Sequence, residues 1–255
     1  MTPASFGSPH RHFARTDSTN TRARELAAAG APGGTVVTAG EQTEGRGRQG
    51  RAWTAPPGKA LLYSAIVRPL EPRHMLLPLA VPLAVAEAAE ALAPGVGCGV
   101  KWPNDVLVGR RKLAGILIEA RPQDGWAVVG VGLNLTIAPD EFPEDLRATA
   151  TSLAIEQPQP AVRPLSSPGL QRTNGSRVRA AAGALSERLW YWLEADEASV
   201  LAAWRGRDAL RGREVAWEGG SGVADGIDDR GYLVVVTASG ERVSVGAGEV
   251  HLTRS

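Results

Sequence analysis

From residue 97 onward, strand-like segments follow one another with no helix between them. Residues 97–102, 106–108 with 113–120, and 126–137 are rich in β-branched and apolar side chains, and Gly109-Arg110 has the character of a hairpin turn. A doubly wound fold needs a crossover helix between successive parallel strands, so this run predicts an α+β protein with a mixed sheet. Upstream, residues 18–29 predict a short helix that Ser18 or Thr19 can cap and Gly30 can end. Strands are expected at 35–42 and 61–67, and a buried, alanine-rich helix at 76–92. Downstream come helices at 177–194 and 197–205. Beyond residue 213 the chain breaks into short strands (VAW, GVADGI, YLVVV, RVSVG) separated by glycine turns, the pattern of a small five-stranded barrel. The expected division is a larger domain over 1–210 and a barrel over 211–255. Residues 156–176, with several prolines among Ser, Gln and Asn, read as a mobile loop.

Composition excludes several classes. The 255 residues carry 28 Lys plus Arg against 27 Asp plus Glu, so the chain is not built mainly to coat nucleic acid. The single cysteine, Cys98, allows no internal disulfide and no cysteine-based zinc site, in keeping with a cytoplasmic protein. Neither a signal peptide nor an uninterrupted apolar run of about 18 residues is visible, so no membrane span is expected. The basic residues include only three lysines, Lys59, Lys101 and Lys112. Codon bias accounts for the arginine excess. It also draws attention to the lysines, because a compact ammonium and a planar guanidinium are not interchangeable.

Four segments carry chemistry. Gly45-Arg46-Gly47-Arg48-Gln49-Gly50-Arg51-Ala52-Trp53 combines exposed amides with clustered positive charge. It reads either as a solvated basic or nucleic-acid-binding segment, or as a loop that folds over a phosphate-bearing ligand. In Lys101-Trp102-Pro103-Asn104-Asp105, proline ends a strand and two polar residues leave the sheet; a plain Asn-Asp turn is the alternative. Lys112 opens an apolar strand that contains Gly115, where a close approach by ligand or backbone is expected; taken alone, a lysine at such an entrance is more often a snorkelling surface residue. Gly130-Val131-Gly132-Leu133-Asn134 places two glycines and an asparagine inside a hydrophobic strand. A buried Asn134 needs a partner, either a ligand or a backbone carbonyl.

Together with Asp17-Ser18-Thr19-Asn20 and Glu41-Gln42, in this order and spacing, these motifs resemble the biotin protein ligases. The tail Gly248-Glu249-Val250-His251-Leu252 is similar to the end of that family's C-terminal domain. The resemblance implies a biotin/lipoate-ligase-type catalytic domain with an SH3-like barrel, and a two-step reaction. Biotin's carboxylate attacks the α-phosphate of ATP to give biotinyl-5′-AMP, and a lysine of a biotin carboxyl carrier domain then takes the biotinyl group. It further implies that Ser18, Thr19, Asn20 and Gln42 hold the ureido head, while Gly45, Arg46, Gly47 and Arg48 close over biotin and its carboxylate. Lys112 then bridges carboxylate and phosphate, and Gly115 admits the ring. Arg51, Trp53, Asn104 and Asn134 are expected on the nucleotide side, with Asp105 serving Lys112 or Mg²⁺. Arg46, Arg48, Lys112 and Asp105 are the expected catalytic group. A lipoate ligase shares this logic but has a different glycine signature, and a biotin-responsive repressor needs a DNA-binding module for which seventeen residues before Ser18 are too few. No DNA partner is therefore expected, and an open strand edge leaves a homodimer possible.

Overall fold

The computed structural model describes residues 6–157, 174–246 and 250–252. Its strands and helices, in chain order, are β1 (His10–Phe13), α1 (Thr19–Ala28), β2 (Val36–Ala39), β3 (Ala60–Val67), α2 (Leu77–Leu92), β4 (Cys98–Lys101), β5 (Asp105–Val108), β6 (Arg111–Arg121), β7 (Trp126–Asn134), α3 (Leu153–Glu156), α4 (Asn174–Glu194), α5 (Glu197–Gly206), β8 (Glu214–Trp217), β9 (Gly220–Ile227), β10 (Leu233–Val236), β11 (Arg242–Val245) and β12 (His251–Leu252). Strands β1 to β7 form one sheet in the order β1-β2-β3-β7-β6-β5-β4, antiparallel except for the β1–β2 pair. This is the α+β, mixed-sheet architecture expected from the strand run.

Period-two alternation assigns each face of the sheet a task. Leu61, Tyr63, Ala65 and Val67 of β3, Val129, Val131 and Leu133 of β7, and Ala114 and Ile116 of β6 join one large core with α2, α4 and α5. The apolar segment Pro72–Leu92 has the length and hydropathy of a membrane span, but it is mostly buried within the fold. Its apolar character therefore serves packing. On the opposite face, Ala23 and Ala27 of α1 pack on Val37, Ile66, Trp126 and Val128. The rest of that face, which carries Leu62, Ser64, Gly115, Leu117, Glu119, Gly130 and Gly132, lies under the start of α1 and the segment that bears Trp53.

Strands β8 to β12 form a second, antiparallel sheet in the order β11-β10-β9-β8-β12, which is the strand content expected of the small barrel. It shares the large core through Val215, Ala224, Leu233 and Val235. The segment leading to it lies along β4, with Val100 N donating to Arg207 O (2.7 Å) and Ala209 N to Val100 O (2.9 Å). Arg207 donates to both oxygens of Glu90 on α2, at 2.6 and 2.9 Å.

Several sequence expectations need correcting. The strand expected over 35–42 is limited to Val36–Ala39, and that over 126–137 ends at Asn134. After Ala39 the chain leaves the sheet and carries Gln42 to the cleft, and after Asn134 it turns so that Leu135 N and Thr136 N both donate to Lys59 O. Ser18 stands at the α1 N-cap with extended dihedrals but makes no side-chain capping bond. Its neighbour Asp17 instead accepts from Ser18 N at 2.7 Å. Strand β1 is missing from the sequence reading because its exposed HRHF pattern lacks an apolar face. Of the expected loop 156–176, Glu156 closes α3 and residues 174–176 open α4. Residues 158–173 of that loop, and Gly248 and Glu249 of the tail motif, lie outside the described residues.

Candidate functional site

A cleft of about 140 Å³ opens on the α1 face of the large sheet. Its floor follows from strand register. Leu62, Gly132 and Gly115 face one another across β3, β7 and β6, and the row continues through Asp105 of β5 to Lys101 of β4. The next row is Ser64, Gly130 and Leu117. The two glycines in the first row form a trough, and the Trp53 indole lies in it. A Cβ on Gly132 would stand 2.2 Å from Trp53 Cε2, and one on Gly115 would stand 2.9 Å from Trp53 Cζ3. Backbone this close to an aromatic ring excludes every side chain larger than hydrogen. Trp53 Nε1 is buried without a hydrogen-bond partner among the described residues.

At one end, the start of α1 meets the floor in a buried polar nest. Gln42 Oε1 accepts from Thr19 N (2.7 Å) and Thr19 Oγ1 (3.0 Å). Ser64 Oγ lies 2.8 Å from Thr19 Oγ1 and 2.6 Å from Asn20 Oδ1. Asn20 is wedged against Gly130, where a Cβ would fall 2.0 Å from its Oδ1. Asp17 anchors the turn into the helix. It accepts from Arg22 Nε and Nη2, Ser18 N and Thr16 Oγ1, and the Arg22 guanidinium above all holds its carboxyl well below the usual carboxylate range.

At the other end, Lys112 Nζ lies 2.6 Å from Asp105 Oδ1 and 5.8 Å from the centre of the Trp53 ring. The Lys112 backbone is pinned on both sides, its N donating to Thr149 O and its O accepting from Thr151 N. Asn104 is tied to β6 through Nδ2 to Ile116 O (3.1 Å) and Ile116 N to Asn104 O (3.0 Å). The arginine loop covers the cleft as a closed turn, with Gly47 N donating to Arg51 O and Trp53 N to Gly45 O. At its tip Gln49 takes a φ of 53°.

The cleft thus gathers Ser18, Thr19, Asn20, Gln42, Arg46, Gly47, Arg48, Arg51, Trp53, Asn104, Asp105, Lys112 and Gly115 from segments far apart in sequence. Gly45 and Asn134 do not line it. Asn134 is buried, and its Nδ2 donates to Thr151 O at 2.9 Å, so its partner is backbone. The sequence reading gave no role to Trp102, whose Nε1 donates to Gly231 O in the turn between β9 and β10 (3.1 Å), to Ser64, or to Val250 and His251, which bring the C-terminal segment to the rim. Glu119 was also missed. For Gly130 and Gly132 the signal was present, since glycine inside an apolar strand marks a close approach.

A mixed sheet with a glycine trough, an arginine loop above it and a lysine at one end defines a protein of the biotin/lipoate ligase class. Residues 12–135 match the Biotin/lipoate A/B protein ligase family, and residues 211–252 match the Biotin protein ligase C terminal domain. The chain is 37% identical over 249 residues to the biotin--[acetyl-CoA-carboxylase] ligase of Mycobacterium tuberculosis, covering 93% of this chain and 86% of that one. It is similar in structure to the biotin protein ligase of Aquifex aeolicus in complex with biotin and ATP, with a TM-score of 0.77, 27% identity, and coverage of 97% of this chain and 100% of that one. The bifunctional ligase/repressor BirA of Bacillus spizizenii is 39% identical over 142 residues, which is 54% of this chain but only 43% of that longer protein. The chain belongs to the biotin protein ligase family.

Proposed function

We propose that this protein activates biotin with ATP to biotinyl-5′-AMP and then transfers the biotinyl group to a lysine of a biotin carboxyl carrier domain. The observation that carries this reading is the Lys112–Asp105 pair at the end of the glycine trough, beneath a loop bearing three arginines. A carboxylate and a polyphosphate repel each other, so bringing them to bonding distance calls for fixed positive charge in a site that excludes water. In the first step an oxygen of the biotin carboxylate bonds to the α-phosphorus and the bond to the β-phosphate oxygen breaks, releasing pyrophosphate. In the second, the carrier lysine amine attacks the activated carbonyl, AMP leaves and the amine loses a proton. No protein nucleophile is required, and alignment of the two anions supplies most of the acceleration.

In this reading the nest of Thr19, Asn20, Gln42 and Ser64 meets the ureido head, whose every edge is polar, with Ser18 beside it. Lys112 sits between carboxylate and α-phosphate, and Asp105 fixes the position of its ammonium. Arg46, Gly47, Arg48 and Arg51 close over the anions. Asn104 lies on the nucleotide side, and Trp53 walls the trough between the two ligands. Among the described residues Asp105 is the one carboxylate lining the cleft, and it is already paired with Lys112. No group of three His, Cys, Asp or Glu able to hold a metal occurs among the described residues. This donor set does not fit a magnesium site built by the protein, so Mg²⁺ enters as part of the MgATP substrate. We assign the reaction to residues 1–210 and reception of the carrier to residues 211–255, since Val250 and His251 reach the rim. No DNA-binding step is assigned, and the working location is the cytoplasm.

The test is an incubation with biotin, MgATP and labelled pyrophosphate, followed by addition of a carrier domain. Biotin-dependent label exchange into ATP and a mass gain of one biotinyl group on the carrier are expected. Exchange driven by lipoate and not by biotin would overturn the substrate assignment.

A further inference from the structure

Glu119 stands at the far end of β6, on the same face as Gly115 and Leu117, and its carboxylate receives donors from two separate parts of the chain. From α1, Asn20 Nδ2 donates to its Oε2 (2.9 Å) and Arg24 Nη1 to its Oε1 (3.1 Å). From the arginine loop, Arg46 Nη2 reaches Oε1 and Oε2 at 3.2 and 3.0 Å. The side chain is only 24% exposed. Asn20 is also part of the nest, through Ser64, and Ser64 in turn meets Thr19 and hence Gln42. A chain of polar contacts therefore runs from the nest, through Asn20 and Glu119, to the first arginine of the loop.

We infer that Glu119 is a positioning residue that clasps Arg46 and so couples occupation of the nest to closure of the arginine loop. The inference rests on the reading of the cleft as the biotin and ATP site. A carboxylate shared by Asn20, Arg24 and Arg46 draws the loop onto the sheet only while all three hold their places. A ligand that fixes Asn20 fixes Glu119, and with it the point to which Arg46 is tied. Charge strengthens the clasp, because Arg46 Nη2 is shared between both Glu119 oxygens and a guanidinium N–H binds an ionised oxygen about twice as strongly as a neutral one. An amide at position 119 keeps one acceptor for Asn20 but loses the ion pair.

The experiment compares full-length wild type, Glu119→Gln, Arg46→Gln and the double variant, with Glu119→Asp as the charge-preserving control. Trypsin cutting after Arg48 and Arg51 is followed by mass spectrometry without ligand, and pyrophosphate exchange is measured across biotin concentrations. Glu119→Gln and Arg46→Gln should each speed ligand-free cutting about threefold or more, and the double variant no more than either alone. Glu119→Gln should raise the KM for biotin by a similar factor with kcat changed less, and Glu119→Asp should recover part of the loss. Cutting rates equal to wild type in Glu119→Gln, or additive effects in the double variant, overturn the clasp. If wild type shows no biotin-dependent exchange, the reading of the cleft fails instead, and the ligand-free cutting rates still decide for or against the clasp.

Discussion

Lys112 and Asp105 meet at 2.6 Å across a bulged pairing of β5 and β6, in which Asp105 stands opposite Gly115 and the register shifts between Val106 and Leu107. The shift lets a lysine near the strand entrance turn back over the glycine trough. A regular ladder would point it elsewhere, since one step of register changes the face.

Lys112→Ala should therefore lower biotin-dependent pyrophosphate exchange by about a hundredfold or more, the scale on which loss of one preorganised charge acts on a developing anion. Its circular dichroism and melting should stay close to wild type. Lys112→Arg should recover only a fraction, because the planar fork cannot occupy the same point. Near-normal exchange by Lys112→Ala would remove the residue from the chemistry.

Gly130→Ala drives a methyl group onto Asn20 Oδ1, where 2.0 Å separates the two positions. Relief means expelling Asn20 from the bonds it makes with Ser64 and Glu119. The expected cost is about 1–3 kcal/mol in urea unfolding, with a raised KM for biotin. An unfolding midpoint unchanged from wild type would show that the nest tolerates the displacement.

Trp102→Phe keeps most of the buried ring but removes the N–H that meets Gly231 O. The turn that carries Asn104 into β5 at Asp105 then loses this bond to the turn between β9 and β10. A stability loss of about 1 kcal/mol is expected, with kcat/KM for ATP falling more than that for biotin. Equal falls for both substrates would count against a specific link to the nucleotide side.

Asp17 has its folded pKa depressed, chiefly by Arg22 and next by the Ser18 amide among the favourable partners. A depressed carboxylate contributes stability that is present above its unfolded pKa of about 3.9 and is lost as pH falls through the folded value. The melting temperature of Asp17→Asn should accordingly lie below wild type at pH 6, and the gap should close as pH drops below about 4. A gap independent of pH would assign the effect to packing.

Cys98 is buried, and burial first of all raises its thiol pKa to about 12. The thiolate is the reactive form, so the native protein should resist iodoacetamide at pH 8 and label only on unfolding. Rapid native labelling would mean that β4 opens locally.

The legible parts of the sequence were those fixed by local pattern. The strand run after residue 97 gave the sheet class; KWPNDV holds the turn from β4 to β5 and KLAGIL runs along β6, and both bring residues to the cleft. Strand β1 escaped because its place depends on pairing with β2 and on the Thr38 hydroxyl, which lies 2.8 Å from His10 Nε2 and 2.9 Å from His12 Nδ1. Nothing within HRHF announces either. Glu119 received no reading in the sequence because the partners that define it lie 73 to 99 residues away. Asn134 was recognised as needing a partner, but only the path of the chain at Thr151 shows that backbone provides it.

The Gly115–Gly132 pair has a consequence for motion. Two neighbouring strands surrender their side chains at the same rung, so apolar cover over that stretch of sheet is borrowed from the loop, as Trp53. When the loop lifts, water reaches main chain in the middle of a seven-stranded sheet, where it is otherwise excluded. The durability of those central rungs is thus tied to how long one indole stays in place. Solvent exchange at their amides becomes a clock for visits of the loop to its open form.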